Sequence, residues 1–213
     1  MNYSVEVAKA LLEVKAVFLR PNEPFTWASG IKSPIYCDNR LTLAYPKIRD
    51  LIEKGIAETV KEKFPLTEIV MGTSTAGIPH AAIVSDILKL PMGYVRGESK
   101  THGRCNKIEG APAKGKKVVV IEDLISTGGS SLEVVEALRE EEAEVLGLIS
   151  IFTYGMEKGK KKMEEANVNV VSLSNFDTLI DVAQKIGYIT EKEKRMLLAF
   201  RNNPSDPSWQ EVE

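Results

Sequence analysis

Residues 118–130 read VVVIEDLISTGGS and contain an apolar run, an acidic pair and a small polar loop in succession. The four apolar residues 118–121 predict a buried β-strand, and the carboxylates of Glu122 and Asp123 follow where that strand leaves the core. A small polar loop then leads into a predicted helix over residues 130–142. A strand, a loop and a helix in this order are typical of an α/β domain, in which ligands bind beyond the carboxyl ends of the strands.

The polar loop at residues 126–130 has the chemistry of a phosphate site. Glycines 128 and 129 let backbone N–H groups approach an oxyanion without a Cβ in the way. The hydroxyls of Thr127 and Ser130 can donate to phosphate oxygens, and the helix N-terminus adds partial positive charge. Because no lysine follows the glycines, this is not a Walker loop. We therefore predict that the loop holds a terminal phosphate.

The acidic pair requires a different ligand group, because carboxylates repel a phosphate. Glu122 and Asp123 suit vicinal hydroxyls or a metal ion. A phosphate at one end and a diol near the carboxylates describe a phosphorylated ribose. The structural alternative is a strand-to-helix turn that is capped by a serine and in which the acids are incidental.

Strands and helices alternate along the rest of the chain, which predicts one α/β domain over residues 1–213 with a mainly parallel sheet. The other predicted strands are 69–71, 92–96, 145–152 and 168–173. The other predicted helices are 4–18, 45–63, 78–88, 159–166, 177–186 and 191–200. Short strands or ordered loop are expected at residues 25–42, and the polar residues 202–213 are expected to fray.

Residues 97–117 are polar, rich in glycine and without periodicity, so they predict a long loop that is functional or mobile. Arg96, Lys100 and His102 come in short succession at its start. Three such donors could close over a pyrophosphate. The alternative for His102 is an exposed histidine without a role.

Composition excludes several classes of function. The 28 basic and 30 acidic residues leave a net charge of −2, so the basic excess of a nucleic-acid binder is missing and no nucleic acid is expected as a partner. No apolar run approaches the roughly 20 residues of a membrane span, and the first residues do not follow the pattern of a signal peptide. The 2 cysteines and 2 histidines cannot build a disulfide framework or a His-rich metal site, so a cytoplasmic protein with reduced thiols is expected.

Three motifs together resemble a known enzyme family. The apolar strand, the acidic pair and the Thr-Gly-Gly loop resemble the phosphoribosyl pyrophosphate (PRPP) motif of type I phosphoribosyltransferases. The stretch FTWASGIKSPIYCDN at residues 25–39 and the pattern R-x-x-x-K-x-H-G at residues 96–103 resemble the orotate phosphoribosyltransferases within that class. GTSTAGIPHA at residues 72–81 and FTYG at residues 152–155 are similar to the branch found in Gram-positive bacteria.

The resemblance implies the type I phosphoribosyltransferase fold, with a small hood at about residues 20–42 plus C-terminal elements and a mobile catalytic loop at residues 97–113. It implies transfer of the 5-phosphoribosyl group from PRPP to orotate, which gives orotidine 5′-monophosphate and pyrophosphate in de novo pyrimidine (UMP) biosynthesis. It also implies Mg²⁺ held mainly by PRPP and water, with no direct side-chain ligand. Finally, it implies a homodimer in which the catalytic loop of one subunit reaches the site of the other.

The same resemblance implies roles for individual residues. The expected catalytic residues are Lys100, His102 and Asp123. The expected PRPP-binding residues are Arg96, Lys100, His102, Glu122, Asp123, Leu124, Ile125, Ser126, Thr127, Gly128, Gly129 and Ser130. The expected orotate-binding residues are Ser126, Lys32, Tyr36 and Cys37, and the expected second pyrophosphate loop is Thr73, Ser74, Thr75, Ala76 and Gly77.

The chain departs from these relatives at a few positions. Ala28, Ala76 and Gly97 stand where some relatives carry lysine, and an arginine that other branches aim at the orotate carboxylate is replaced near Thr153. One rival interpretation is a purine or uracil phosphoribosyltransferase, which would share residues 122–130 but lack the 25–34 signature. The other is a regulator that senses PRPP and binds nucleic acid, which would usually add a basic surface.

Other conspicuous residues have structural explanations. His80 opens an apolar helix and is expected to be structural. Trp27 could stack on a flat base or pack in the core. The lysine run at residues 158–162 is expected to be a solvated helix face.

Overall fold

The computed structural model of the protein describes residues 2–27, 30–97 and 107–212. In this part of the chain the α-helices are α1 (Tyr3–Glu13), α2 (Pro46–Lys63), α3 (Gly77–Leu88), α4 (Gly129–Glu140), α5 (Glu157–Glu165), α6 (Phe176–Lys185) and α7 (Glu191–Asn202). The strands are β1 (Val17–Leu19), β2 (Phe25–Thr26), β3 (Lys32–Ser33), β4 (Ile35–Cys37), β5 (Ile69–Thr73), β6 (Met92–Val95), β7 (Ile108–Gly110), β8 (Lys117–Ile125), β9 (Glu144–Thr153) and β10 (Val170–Asn175). Short 3₁₀-helices span Asn39–Ala44 and Pro207–Glu211.

A six-stranded sheet forms the centre of the molecule, with the order β10-β9-β8-β5-β6-β7. The neighbours from β10 to β6 pair in parallel, and β7 alone in this sheet runs antiparallel to its neighbour β6. This confirms the predicted α/β fold with a mainly parallel sheet flanked by helices. No helix in the described part of the chain is long and apolar enough to cross a membrane.

Strand β8 lies at the centre of the sheet and is buried on both faces. Val119 and Ile121 belong to the core cluster that α1, α2, α3, α6 and α7 cover, whereas Val118 and Val120 belong to the cluster under α4 and α5. Successive side chains of a strand point to opposite faces, and both faces of this sheet carry helices. The unbroken apolar run at residues 118–121 follows from this double burial.

The carboxyl ends of β5, β6 and β8 meet at one edge of the sheet, because the three strands are parallel. Helix α3 begins directly against this edge. A Cβ at Gly77 would lie 2.4 Å from the Ile121 carbonyl oxygen and 2.4 Å from Thr73 Oγ1, so the approach requires glycine. The loop between β5 and α3 is therefore held close to β8.

A small layer of aromatic residues connects the N-terminal hairpin with the C-terminus. Trp27 follows β2 and stacks on Tyr154 with ring centroids 6.1 Å apart, and its edge meets Phe200 of α7 at 5.8 Å. Phe200 in turn contacts Trp209 at 5.6 Å. Trp27 thus serves in packing, which decides between its two predicted roles.

The C-terminal residues do not fray as predicted. Residues Pro207–Glu211 form a 3₁₀-helix, and Trp209 is only 2% exposed. The sequence of this segment is mostly polar and therefore predicted no packing. A single buried indole is enough to hold the segment against α7.

The first helix is shorter than predicted. It ends at Glu13, because Lys15 adopts a left-handed conformation with φ of 56°. The Ala16 N–H donates to the Leu11 carbonyl oxygen at 2.9 Å, and the Lys15 N–H donates to that of Leu12 at 3.2 Å. This is the Schellman pattern of helix ends, here with lysine in the position that glycine usually takes. Residues 17–19 are thereby free to form β1.

Two further differences from the sequence prediction lie near the carboxyl ends of the central strands. Strand β8 continues through Ile125, so Glu122 and Asp123 lie inside the strand and not after it. Within the predicted loop at residues 97–117, residues 108–110 form β7 and pair with β6. A strand of three residues at a sheet edge leaves no periodic pattern to detect.

Candidate active site

A cavity of about 750 Å³ opens at the carboxyl ends of β5, β6 and β8. Its volume is in the usual range for a small-molecule site. The predicted site residues that line it are Cys37, Thr73, Ser74, Thr75, Ala76, Arg96, Glu122, Asp123, Leu124 and Ser130. Lining residues that the sequence prediction missed are Asp38, Arg40, Val95, Lys107, Glu133, Val134, Glu136, Ala137 and Glu140.

Glu122 forms part of the cavity wall but is turned into the protein, with only 6% of its surface exposed. Thr73 Oγ1 donates to its Oε1 at 2.8 Å, and Ser131 Oγ donates to its Oε2 at 2.8 Å. Burial raises the pKa of Glu122 from 4.5 to about 7, and the neighbouring Asp123 adds to this rise, whereas the two hydroxyl donors oppose it. Both carboxylate oxygens are therefore engaged by the protein itself.

Asp123 is the more accessible member of the acidic pair. Its backbone carbonyl accepts a hydrogen bond from Nδ2 of the buried Asn39 at 2.7 Å, which ties this point of β8 to the segment after β4. Burial, followed by the charges of Asp123 and Asp38, raises the pKa of the Cys37 thiol well above its usual value. The thiol of Cys37 is thus kept protonated, and Asp123 is the acid available to a ligand.

The predicted phosphate loop follows β8 and leads into α4. Gly128 adopts a left-handed conformation with φ of 74° at the N-cap of α4, and no side chain in the described chain caps that helix. The first N–H groups of α4 consequently remain available as donors. Thr127 and Ser130 are exposed beside them. Ser130 lines the main cavity, whereas Ile125 and Ser126 line a second cavity of about 400 Å³ toward α5.

The predicted second pyrophosphate loop connects β5 with α3 on the other side of Glu122. Ser74 and Thr75 are exposed there, and the peptide bond between them is cis. Ser74 Oγ donates to the carbonyl oxygen of Val95, which links this loop to the end of β6. Thr73 anchors the start of the loop to Glu122.

Arg96 follows β6 at the same cavity, with Nη1 at 3.6 Å from Oε1 of Glu109 on β7. Lys107 also lines the cavity, and its Nζ lies 3.9 Å from Oε2 of Glu140. Lys100 and His102 lie outside the described residues, as does Ala28.

The predicted orotate-binding residues are only partly brought together. Lys32 donates from Nζ to Thr26 Oγ1 at 2.7 Å within the β2–β3 hairpin, and Tyr36 contacts Phe25 at 5.6 Å between ring centroids. Neither of the two lines the 750 Å³ cavity, whereas Cys37 does.

The cavity rim carries an ion pair that sequence reasoning overlooked. Arg40 donates from Nε and Nη2 to the two carboxylate oxygens of Asp38 at 2.7 and 2.9 Å. A signal was present, since Asp38 and Arg40 directly follow the predicted orotate-binding residues along the chain. His80 lies in the core, as expected: its side chain is 0% exposed, and Nδ1 lies 2.6 Å from Oε1 of Glu53.

Comparison with known proteins places this geometry in a wider context. Residues 41–183 match the family described as "Phosphoribosyl transferase domain". The chain is 61% identical to an orotate phosphoribosyltransferase of Listeria innocua, over 96% of this chain and 98% of that protein. It is 58% identical to an orotate phosphoribosyltransferase of Bacillus cytotoxicus, over 96% of this chain and 97% of that protein.

A solved structure shares the architecture. The orotate phosphoribosyltransferase of Aeropyrum pernix superposes with a TM-score of 0.74 at 31% identity, over 86% of this chain and 99% of that one. The fold predicted from the three sequence motifs is confirmed by this likeness and by the family match.

Proposed function

The chain belongs to the orotate phosphoribosyltransferase family, and we propose that its cavity transfers the 5-phosphoribosyl group of PRPP to orotate. The products are orotidine 5′-monophosphate and pyrophosphate, in a step of pyrimidine nucleotide biosynthesis. Relatives that match nearly the whole chain are orotate phosphoribosyltransferases, so a purine or uracil enzyme and a PRPP-sensing regulator are not favoured. One observation carries the proposal: Asp123, the start of α4 and the loop after β5 meet around a single cavity.

The loop after β8 is assigned to the 5′-phosphate of PRPP. Its exposed hydroxyls, Thr127 and Ser130, and the uncapped N–H groups of α4 supply donors for several phosphate oxygens. Gly128 adopts the left-handed conformation that starts α4 directly after Thr127. This loop binds and orients the substrate but takes no part in bond cleavage.

The two acids are assigned different tasks. In the transfer, a ring nitrogen of orotate bonds to the anomeric carbon while the bond from that carbon to a pyrophosphate oxygen breaks, so positive charge develops on the ribose. The accessible carboxylate of Asp123 is suited to binding the ribose hydroxyls and stabilising this charge. Glu122, whose oxygens already accept from Thr73 and Ser131, positions β8 and the loop after β5.

The leaving pyrophosphate is assigned to the loop after β5 and to Arg96. Ser74 and Thr75 offer exposed hydroxyls there, and Arg96 offers a guanidinium. Lys100 and His102 are assigned to the same group on the strength of the sequence motif alone. We propose that orotate lies toward Cys37, with Lys32, Tyr36 and Ser126 as further contacts.

Magnesium is proposed as the cofactor, carried mainly by PRPP and water. The cavity lining fits this assignment, because the accessible carboxylate of Asp123 is an oxygen group of the kind that favours Mg²⁺ and its bound water. The ion would neutralise the pyrophosphate as it leaves. A cytoplasmic location is part of the same proposal.

The activity is tested by following orotate absorbance with PRPP, with and without Mg²⁺, and with hypoxanthine, xanthine or uracil in place of orotate. We expect consumption of orotate only, and only with both PRPP and Mg²⁺ present. Full activity in excess chelator would contradict the magnesium assignment. Activity on hypoxanthine but not on orotate would contradict the substrate assignment.

The homodimer with shared catalytic loops is tested by mixing two inactive variants, Lys100→Ala and Asp123→Asn. If the loop of one subunit serves the site of the other, a mixed dimer contains one site without either lesion. Random re-pairing of equal amounts should then restore about a quarter of wild-type sites, by two-fold symmetry. No gain after confirmed subunit exchange would mean that the loop acts in its own subunit or that no such dimer forms.

A further inference from the structure

Helix α5 carries a run of lysines, and one of them differs from the rest in its surroundings. Lys158, Lys160 and Lys161 are exposed, and Lys160 pairs with Glu157 at 2.9 Å. Lys162 is half-buried, and its ammonium forms no ion pair within the described residues. We propose that Lys162 binds the 5′-phosphate of the phosphoribosyl substrate, an inference that rests on the function proposed above.

The packing of α5 places this side chain beside the phosphate loop. A Cβ at Gly159 would lie 3.0 Å from the Ser126 carbonyl oxygen, so the helix seats directly against the loop backbone. Met163 fills the space next to Gly128, because a Cβ added at Gly128 would lie 2.8 Å from Cε of Met163. Lys162 precedes Met163, and its Nζ lies 4.0 Å from the position that a Gly129 Cβ would take. Helix α5 therefore fixes a cation at the edge of the loop.

A cation beside this loop would offset the negative charge of the neighbouring carboxylate. Asp123, in the strand β8 that leads into this loop, carries an accessible carboxylate that repels a phosphate dianion, while the N-terminus of α4 contributes only about half a unit of positive charge. A full cation at Gly129 compensates for this carboxylate at the place where the phosphate is bound. A lysine in the last turn of a helix also stabilises that helix through the helix dipole, so Lys162 has a second role that must be separated from phosphate binding.

The expected kinetic effect follows from the chemistry. The 5′-phosphate keeps its charge and bonding throughout the transfer, so Lys162 stabilises the bound substrate and the transition state equally. Loss of such uniform binding raises KM and leaves the rate of the bound complex nearly the same. One charge-assisted contact corresponds to roughly a tenfold change in affinity.

The test compares Lys162→Met with Lys161→Met, which removes the same charge from the exposed neighbouring position. We expect Lys162→Met to raise the KM for PRPP about tenfold, with kcat changing less than twofold. Inhibition by orotidine 5′-monophosphate should weaken by a similar factor, and inhibition by pyrophosphate, which has no 5′-phosphate, should not. Lys161→Met should change each quantity less than twofold, and Lys162→Arg should regain most of the affinity.

Three outcomes would overturn the inference. One is a Lys162→Met enzyme with the same KM as Lys161→Met, and another is an equal loss toward pyrophosphate. The third is a loss explained by a fall in melting temperature that Lys162→Arg does not reverse. These outcomes leave the wild-type activity in place, whereas failure of the proposed function would appear as a wild-type protein that does not consume orotate.

Discussion

Two buried glutamates lie on either side of helix α3, and they are stabilised in different ways. Glu122, at the cavity, accepts hydrogen bonds from the hydroxyls of Thr73 and Ser131. Glu53 is a residue of α2 that faces α3, and one of its carboxylate oxygens lies 2.6 Å from Nδ1 of His80. Its other oxygen and His80 Nε2 have no hydrogen-bond partner in the described chain. The first carboxylate is fully satisfied, whereas the second belongs to a pair with two unmatched atoms.

Hydroxyl partners and an imidazole partner have different consequences for a buried carboxylate when its charge changes. Burial raises the pKa of both residues; His80 opposes the rise at Glu53, and hydroxyls oppose it at Glu122. A hydroxyl can donate to a carboxylate or accept from a carboxylic acid, so the contacts of Glu122 survive protonation. The Nδ1 atom of His80 can also donate or accept, but either tautomer leaves Nε2 without a hydrogen-bond partner in the described chain. Glu122 therefore tolerates a change of charge beside the cavity, and the Glu53–His80 pair connects two helices in the core.

The strongest loss of activity is expected at Asp123, the neighbour of Glu122 that is open to the cavity. Asp123→Asn should lower kcat by about 10²–10³, because it removes negative charge near a carbon that becomes cationic. Glu122→Gln should lower kcat by less than about tenfold, since the amide keeps hydrogen-bonding groups for Thr73 and Ser131. Steady-state kinetics with orotate and PRPP measure both. Equal losses in the two variants would show that the acids act together and that the division of tasks is wrong.

The second effect is on stability. Glu53→Ala should lower the free energy of unfolding by about 3 kcal/mol, because it leaves His80 buried without its partner. The kcat of the folded enzyme should change less than twofold, since the pair lies outside the cavity. Urea unfolding and kinetics on the same preparation provide the two readouts.

The matched control for this prediction is Glu62→Ala, the same substitution at an exposed position of α2 that pairs with Lys63. Its cost in unfolding free energy should stay within about 0.5 kcal/mol. If Glu53→Ala costs no more than Glu62→Ala, the buried pair is not a source of stability.

The third effect separates the two glutamates by pH. The folded-state pKa of Glu122 is raised from 4.5 to about 7, so the folded protein holds this proton more tightly than the unfolded chain. The stability from this group is therefore full below pH 4.5 and falls as the pH rises toward 7. Between pH 5 and pH 8 the loss should be about 2 kcal/mol, and Glu122→Gln should abolish it. A pH dependence of stability that is identical in wild type and Glu122→Gln would assign the titration to another group.

The sequence predicts the fold of this chain well where one local pattern suffices. The buried strand β8, the helix α4 and the alternation of the other elements could all be derived from periodicity, because double burial of a parallel strand leaves an unbroken apolar run. The chain reversal at Lys15 could not, since a lysine with φ of 56° stands in the left-handed position that a glycine usually marks in a sequence. The burial of Trp209 also depends on a distant partner, Phe200, that no local pattern reveals.

The same limit applies to the site. Motifs predicted the two loops and the acidic pair, but the sequence EDL cannot show that Glu122 turns inward and Asp123 does not. That difference depends on Thr73 and Ser131, which lie 49 and 9 residues away along the chain. Lys162 belongs to a lysine run that the sequence predicts to be a uniformly solvated helix face. Only the packing of α5 against the phosphate loop distinguishes Lys162 from the other lysines.

A smaller change in stability is expected from the loss of a single hydrogen bond to Glu122. Ser131→Ala removes one of the two hydroxyl donors of Glu122, and Ser85→Ala removes a buried hydroxyl of α3 that donates to the Ala82 carbonyl oxygen at 2.8 Å. At pH 5, where Glu122 is protonated in the folded protein, each variant should lose about 1 kcal/mol of unfolding free energy.

At pH 8 the two serine variants should diverge. Glu122 is then mostly ionised, and a hydrogen bond to a charged group contributes about 1.5–3 kcal/mol, so the loss in Ser131→Ala should grow to roughly 2 kcal/mol. The loss in Ser85→Ala should stay the same, because a backbone carbonyl does not titrate. The sign agrees with linkage, since removal of a donor raises the pKa of Glu122 further and so lowers stability on the alkaline side. Chemical denaturation of both variants at the two pH values measures the difference, and parallel losses would mean that Ser131 does not stabilise the ionised form of Glu122.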